Sequence, residues 1–380
     1  MAEEKSNELS SHVEMKKVWE LLAIIVVTAI IWNLPTSSFG INGLTVVQQR
    51  IIAIFVFATL SWLTECIPAW ATSLSIMSIM CVTVSKNAFG FFKGDGIGEL
   101  LDSKEIMASF ADPIIMLFLA GFILAIAASK SGLDTLLARN LIKPFGNKSE
   151  NVLLGFLLIT GLFSMFISNT ATAALMLTFL TPVFAALPAN GKGRIALTMS
   201  IPIAANLGGM GTPIGTPPNL IALKYLNDPA GLNMNIDFMH WMAFMAPLVI
   251  VLLLLSWRII LYFFPFTQKT IHLKIDGEVH RGWRMWVVII TFIVTILLWV
   301  IPKDVTGIDT NTVSMIPMAI FAITGVITAK DMQEINWSVI WMVAGGFAIG
   351  LGMNGSGLAD AAIESIPFGD RSEERRVGKE

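Results

Sequence analysis

Long apolar runs joined by short polar stretches set the plan of this chain. Val18 to Leu34, Ile51 to Pro68, Trp70 to Val84, Ile114 to Ala128, Phe238 to Phe264, Met285 to Ile301, Thr312 to Thr328 and Val339 to Met353 each read as a membrane-crossing helix, given a rise of about 1.5 Å per residue. Pro68 marks the turn between the second and third runs, and Glu65 just before it reads as an interfacial capping residue. Mixed sequence from Lys86 to Asp112, with Gly90, Gly94, Gly96 and Gly98, predicts a loop and then a helix lying at the interface from Leu100 to Phe110. Asp331 to Trp337 predicts a second, shorter interfacial piece.

Two more apolar runs do not read as simple crossings. Asn151 to Asn190 holds no Asp, Glu, Lys or Arg, enough chain for two crossings or for a re-entrant hairpin whose turn lies at membrane depth. Ser168-Asn169-Thr170 falls near its middle, and three polar residues there are costly against lipid, so they line protein or a site. Ile195 to Leu223 is interrupted by Gly208-Gly209-Met210-Gly211-Thr212-Pro213-Ile214-Gly215-Thr216-Pro217-Pro218-Asn219. Such a cluster breaks the backbone hydrogen-bond ladder, and at depth the freed N–H and C=O groups must face protein, a cavity or a ligand. The pair predicts a hairpin and a discontinuous helix whose polar groups face an ion and a substrate.

Composition narrows the class. With 55% hydrophobic and 14% charged residues, net charge −2 and mean hydropathy +0.73, the chain departs from soluble proteins and fits a polytopic membrane protein. No basic cluster points to nucleic acid. Cys66 and Cys81 are too few for a disulfide framework or zinc site, and His12, His240, His272 and His280 lack metal-ligand spacing. No His-Glu-x-x-His, Gly-x-Ser-x-Gly or P-loop occurs, and the two central runs carry no charged group, which argues against an enzyme. No resident cofactor is expected. Lys16 and Lys17 before the first run place the N-terminus in the cytoplasm, and the basic segment Arg139 to Lys148 and the linker Pro265 to Arg284 follow the same positive-inside tendency.

The two halves echo each other. Ile115 to Leu133 aligns with Ile340 to Leu358, matching Gly121-Phe122 with Gly346-Phe347 and Ser131-Gly132-Leu133 with Ser356-Gly357-Leu358; at a slightly different spacing Pro144-Phe145-Gly146 matches Pro367-Phe368-Gly369. A repeat of this kind in a transporter places the site where the repeats meet.

Ser168-Asn169-Thr170 followed by Ala171-Thr172-Ala173-Ala174, with the Gly-Gly-Met-Gly-Thr and Gly-Thr-Pro-Pro-Asn motifs at this separation, resembles the divalent anion/sodium symporter family, carriers of di- and tricarboxylates or sulfate. The resemblance implies an all-α, inverted-repeat, elevator-type secondary transporter with a re-entrant hairpin and a discontinuous helix in each repeat, working as a homodimer when full length. It implies a first sodium site from Ser164, Ser168, Asn169 and the Gly215 backbone, with substrate contacts from Asn169, Thr170, Thr216 and Pro217. Sodium is then a coupling ion, suited to hydroxyl, amide and carbonyl oxygens, and a carboxylate is held by neutral donors and helix N-termini. The implied function is sodium-coupled transport of dicarboxylates (succinate, malate, fumarate) or citrate across the plasma membrane. A dicarboxylate exchanger, a sulfate carrier or another antiporter of the wider ion-transporter group stands as the alternative.

The resulting division is an N-terminal helix (1–34); a first repeat (35–264) with scaffold helices 47–129, hairpin 150–186, broken helix 194–226 and a transmembrane helix 238–264; a soluble linker (265–284); and a partial second repeat (285–370). The loaded domain is expected to move against a scaffold of the early helices, Val18 to Ala128, and their counterparts, Met285 to Met353. Repeat spacings of 225 (Ile115 to Ile340) and 223 (Pro144 to Pro367) put a second Ser-Asn-Thr beyond Glu380, so the second hairpin is expected to be missing and the chain alone not to transport. Arg371 to Glu380 resembles the read-through of a sequencing adapter and reads as a non-native tail, although Arg371-Ser372-Glu373 also continues the match to Lys148-Ser149-Glu150.

Overall fold

A computed structural model describes residues 2–185, 187–188, 191–228, 232–271 and 282–365. The Pro367-Phe368-Gly369 match, the 371–380 tail, His272 and His280 lie outside these residues. Among the described residues the chain is almost wholly helical, with α1 Ala2–Asn33, α2 Val46–Thr64, α3 Ala69–Thr83, α4 Ser103–Ala108, α5 Pro113–Ser131, α6 Leu133–Ile142, α7 Ser149–Ser164 and α8 Asn169–Ala185. Beyond these come α9 Lys192–Gly209, α10 Pro217–Leu226, α11 Phe238–Phe263, α12 Trp283–Val300, α13 Lys303–Thr306, α14 Thr310–Ile323, α15 Trp337–Gly355 and α16 Leu358–Ser365. Five described segments are long and apolar enough to cross a membrane: Val46–Thr64, Ser103–Ser131, Phe238–Phe263, Trp283–Val300 and Trp337–Gly355. This is a multi-pass membrane protein. The α11 segment makes the point physically, because Phe244, Leu248, Val251, Leu255, Ile259 and Tyr262 stand exposed along it, an apolar stripe that lipid solvates and water does not.

The contacts form two compact units, the described residues of Met1–Asp112 with Trp337–Glu380, and Pro113–Asn336. The segments 113–131, 283–300 and 310–323, which the elevator expectation gives to the scaffold, fall in the second unit with the hairpin.

In the first unit α15 packs along α3 closely enough that a Cβ on Gly345 would stand 2.6 Å from the Ser73 Cβ. Two buried glutamines fix the start of α2. Gln48 and Thr45 exchange side chain-to-backbone bonds as a capping box (2.9 and 3.3 Å), and Gln49 Nε2 donates to the carbonyls of Ile31, Trp32 and Leu34, closing the end of α1. Arg50 donates through Nη1 to the Thr83 and Phe92 carbonyls and lies over the Trp32 and Phe92 rings, which gives a cation at the head of an apolar helix carbonyl and aromatic partners. Glu65 is the exposed C-cap of α2, in the left-handed conformation with its N–H on the Ser61 carbonyl. The helix expected over Leu100 to Phe110 is shorter, running over Ser103–Ala108 with a 3-10 turn behind it, because Asp102 caps it by accepting from the Lys104 N–H. The first apolar run belongs to a longer helix, α1, that begins at Ala2.

In the second unit α7, α8, α9 and α11 bury a shared core around Phe156, Leu157, Leu180, Ile201 and Leu253. Part of the expected soluble linker is pinned to it. Ser149 N–H donates to the Lys269 carbonyl, Ser149 Oγ to Gln268 O, and Ile271 N–H to Asn147 O, while Phe266 fills the space a side chain on Gly193 would need. The echo between the halves has a local counterpart within each unit. Gly132 (φ 72°) turns α5 into α6, and Gly357 (φ 70°) turns α15 into α16, so a long helix, a left-handed glycine and a shorter helix follow in the same order at both places.

Asp331 closes one end of this second unit. Its carboxylate accepts from Lys130 Nζ at 2.5 Å, from the Thr328 N–H at 2.6 Å and from the Thr328 hydroxyl at 2.7 Å. Burial pushes this carboxyl up, but Lys130 and Thr328 outweigh it and hold it at about 2. Asp331→Asn is expected to cost about 1–3 kcal/mol of stability at pH 7. A depressed pKa contributes stability that is present above the unfolded value near 4 and lost as pH falls toward 2, so the gap between wild type and variant should close over that window. Unfolding midpoints at pH 7 and pH 3 check this; a gap that does not narrow removes the carboxylate from the account.

Candidate functional site

Two helix breaks meet in the second unit. Helix α7 ends at Ser164, and after Met165–Ser168 helix α8 starts at Asn169; helix α9 ends at Gly209, and α10 starts at Pro217 after an irregular passage. The Ser-Asn-Thr motif thus opens α8, and the Gly/Pro cluster is the second break.

Glycine brings the breaks together. A Cβ on Gly208 would stand 2.2 Å from the Gly161 carbonyl oxygen and 2.5 Å from its Cα, so α9 crosses α7 backbone to backbone. A Cβ on Gly209 would meet Asn169 Oδ1 at 2.4 Å, and one on Gly215 would meet the Gly209 carbonyl oxygen at 2.4 Å. Ser164, Asn169, Gly209 and Gly215 therefore form one contiguous set.

At its centre Ser164, fully buried, has its Oγ 2.7 Å from Asn169 Oδ1 and 2.6 Å from the Ala205 carbonyl oxygen. A hydroxyl carries one proton and satisfies only one acceptor at a time. Among the side chains of this cluster only the Ser164 hydroxyl brings a proton to three close oxygens, without a carboxylate among them, an arrangement suited to a hard cation that takes oxygen ligands. Asn169 Nδ2 faces Asn206 Oδ1 at 3.2 Å, which holds the Asn169 carbonyl toward Ser164.

The second break is tied down by its own polar groups. Asn219 Nδ2 donates to the carbonyls of Gly209 (2.9 Å) and Thr212 (2.8 Å), the buried Thr212 hydroxyl donates to the Met165 carbonyl, and Trp241 Nε1 donates to Met210 O at 3.1 Å. Backbone groups freed by the break thus find side-chain partners from both neighbouring helices.

The other expected residues are placed as follows. Ser168 Oγ accepts the Ala171 N–H at 3.3 Å, acting as a helix cap, and no described contact joins it to Gly215. Thr170 is exposed at the head of α8. With the Ala171 and Thr172 N–H groups taken by Ser168, those of Asn169 and Thr170 have no acceptor among the described residues and stand open at that end, as the first N–H groups of a helix do. Thr216 is the N-terminal flank of α10 and its hydroxyl makes no cap bond. The start of α10 differs from that of α8: Pro217 and Pro218 have no N–H, and the Asn219 N–H is on the Thr216 carbonyl, so this end offers its dipole and the Thr216 hydroxyl. Pro217 supplies shape rather than a donor.

Sequence reasoning missed Asn206, the Ala205 carbonyl and the clasp made by Asn219. Asn206 was visible as a single polar residue in an apolar run; a main-chain acceptor such as Ala205 O has no signal of its own.

The citrate transporter (CitMHS) family profile matches residues 59–370 of this sequence. The chain belongs to the citrate transporter family. The match accords with the resemblance to divalent anion/sodium symporters carried by the Ser-Asn-Thr and Gly/Pro motifs. Among curated relatives, the "sodium-dependent dicarboxylate transporter SdcS" of Staphylococcus saprophyticus is 32% identical over 354 residues, covering 83% of this chain and 64% of that protein. SdcS of Staphylococcus aureus is 31% identical, covering 81% and 63%. The "inorganic phosphate transporter PHO87" of Saccharomyces cerevisiae is 28% identical, covering 90% of this chain and 36% of that protein. The chain thus spans between about a third and two thirds of the length of these relatives. Family and relatives alike carry transporter names, not enzyme names.

Proposed function

We propose that the citrate-transporter chain supplies one sodium-linked anion half-site of a secondary carrier for C4-dicarboxylates or citrate. The observation that carries this is the Ser164 cluster, one hydroxyl set between two carbonyl oxygens, beside the N-terminus of α8. A cation there would hold the Asn169 carbonyl in place, and the same side chain's position governs where Thr170 and the free N–H groups meet a carboxylate. Sodium and substrate affinities are then coupled, and the coupling is reciprocal. An inverted-repeat, elevator-type movement, a homodimer of the full-length protein, a plasma-membrane location and a cytoplasmic N-terminus belong to the same reading, supported by the repeat echo, the family match and Lys16-Lys17. Phosphate is the competing anion, because neutral donors suit any oxyanion and PHO87 bears that name.

The test is thermal unfolding of the purified 380-residue chain in detergent, with sodium chloride titrated against choline chloride at constant ionic strength, alone and with succinate, citrate or phosphate. Sodium is expected to raise the midpoint, and a dicarboxylate or citrate to raise it further only when sodium is present. Equal midpoints in sodium and choline would remove the ion site; a shift with phosphate alone would replace the substrate.

A further inference from the structure

The ends of α5 and α12, which pack together, flank an open pocket of about 490 Å³ that no residue of the two helix breaks lines. Ser129, Lys130 and Ser131 line one side and Trp283, Arg284 and Met285 the other. The Lys130 charge is already matched by Asp331, and the Ser131 hydroxyl donates to the Ala128 carbonyl. Arg284 is different: it is exposed, its guanidinium lies 5.6 Å from the centre of the Trp283 ring, and it has no carboxylate partner among the described residues. The Ser129 hydroxyl likewise has no bond among the described residues. Among the described residues the pocket therefore carries net positive charge and open donors.

Its depth is marked by tryptophan. Trp283 and Trp286 stand 60% and 61% exposed at the head of α12, a membrane-crossing segment, and indoles in that position sit at the level of the lipid headgroups. A basic cavity between membrane helices at that level matches the phosphate of an acidic lipid, and the guanidinium fork matches a phosphate geometrically. We propose that this cavity holds the phosphate of an anionic phospholipid, gripped by Arg284 with Ser129 and flanked by Trp283. The shared chemistry is a phosphate; the exposed indoles at its rim favour a lipid over the free ion.

The test is the thermal midpoint of the full 380-residue chain in neutral detergent with added phosphatidylglycerol, phosphatidylcholine or inorganic phosphate, for wild type, Arg284→Gln, Ser129→Ala and the distant exposed Lys303→Gln. Phosphatidylglycerol is expected to raise the wild-type midpoint by about 4 °C more than phosphatidylcholine does. Arg284→Gln should lose at least half of that difference, Ser129→Ala a smaller part, and Lys303→Gln none. Native mass spectrometry should show phosphatidylglycerol retained by wild type and shed by Arg284→Gln. Equal shifts with both lipids, an undiminished difference in both Arg284→Gln and Ser129→Ala, or the same shift with inorganic phosphate alone would each overturn the lipid site.

Discussion

Alanine at Gly208 is expected to cost the chain about 3 kcal/mol or more of stability, the upper range for overpacking a tight interior. The new methyl would lie 2.2 Å from the Gly161 oxygen and 2.5 Å from the Gly161 Cα, and both are backbone atoms that cannot rotate aside. Relief requires α7 and α9 to separate, which loosens the core they share around Phe156, Leu157 and Ile201. Equilibrium unfolding of the variant in detergent measures the cost; a loss below about 1 kcal/mol would mean that the helices do not cross at this glycine.

The neighbouring position is expected to behave differently. A methyl on Gly209 meets the Asn169 Oδ1 at 2.4 Å, and that atom is the tip of a side chain free to turn away. Gly209→Ala should therefore fold with a loss of about 1 kcal/mol but turn the Asn169 carbonyl off Ser164, dismantling the three-oxygen cluster. Sodium affinity, read from the midpoint titration, should fall at least about tenfold, equivalent to about 1.4 kcal/mol. Unchanged affinity in a folded Gly209→Ala protein would show that the cluster is not where sodium binds. Adjacent glycines thus separate packing from ion binding.

The apolar runs were legible because lipid leaves a helix no other way to satisfy its backbone, so hydropathy alone marks the crossings. Their ends were less so. Helix α1 extends back to Ala2 through Glu, Lys and Ser, since helix formation outside the membrane does not register as hydropathy. Helix α4 is shorter than its apolar pattern because the Asp102 cap, not the last apolar residue, sets its start. At the site, Ser164 and Asn169 were legible as polar residues where polarity is costly, while the contact between them depends on Gly209 and on the Ala205 carbonyl, and packing partners of that kind are fixed only by how α7 and α9 cross. The two prolines that open α10 were in plain view, and their lack of N–H donors needed the helix start at Pro217 before it could be weighed.

The side chains that knit the two breaks together, Ser164, Asn169, Asn206, Thr212 and Asn219, are all groups that keep one charge state across the working pH range. The proposed site, built from these groups, has no internal pH meter among them. Any pH profile of ligand binding there should follow the titration of the cargo, rising as the fraction of the preferred anion rises, and the profiles for two cargoes should be displaced from each other by the difference between their own acid constants.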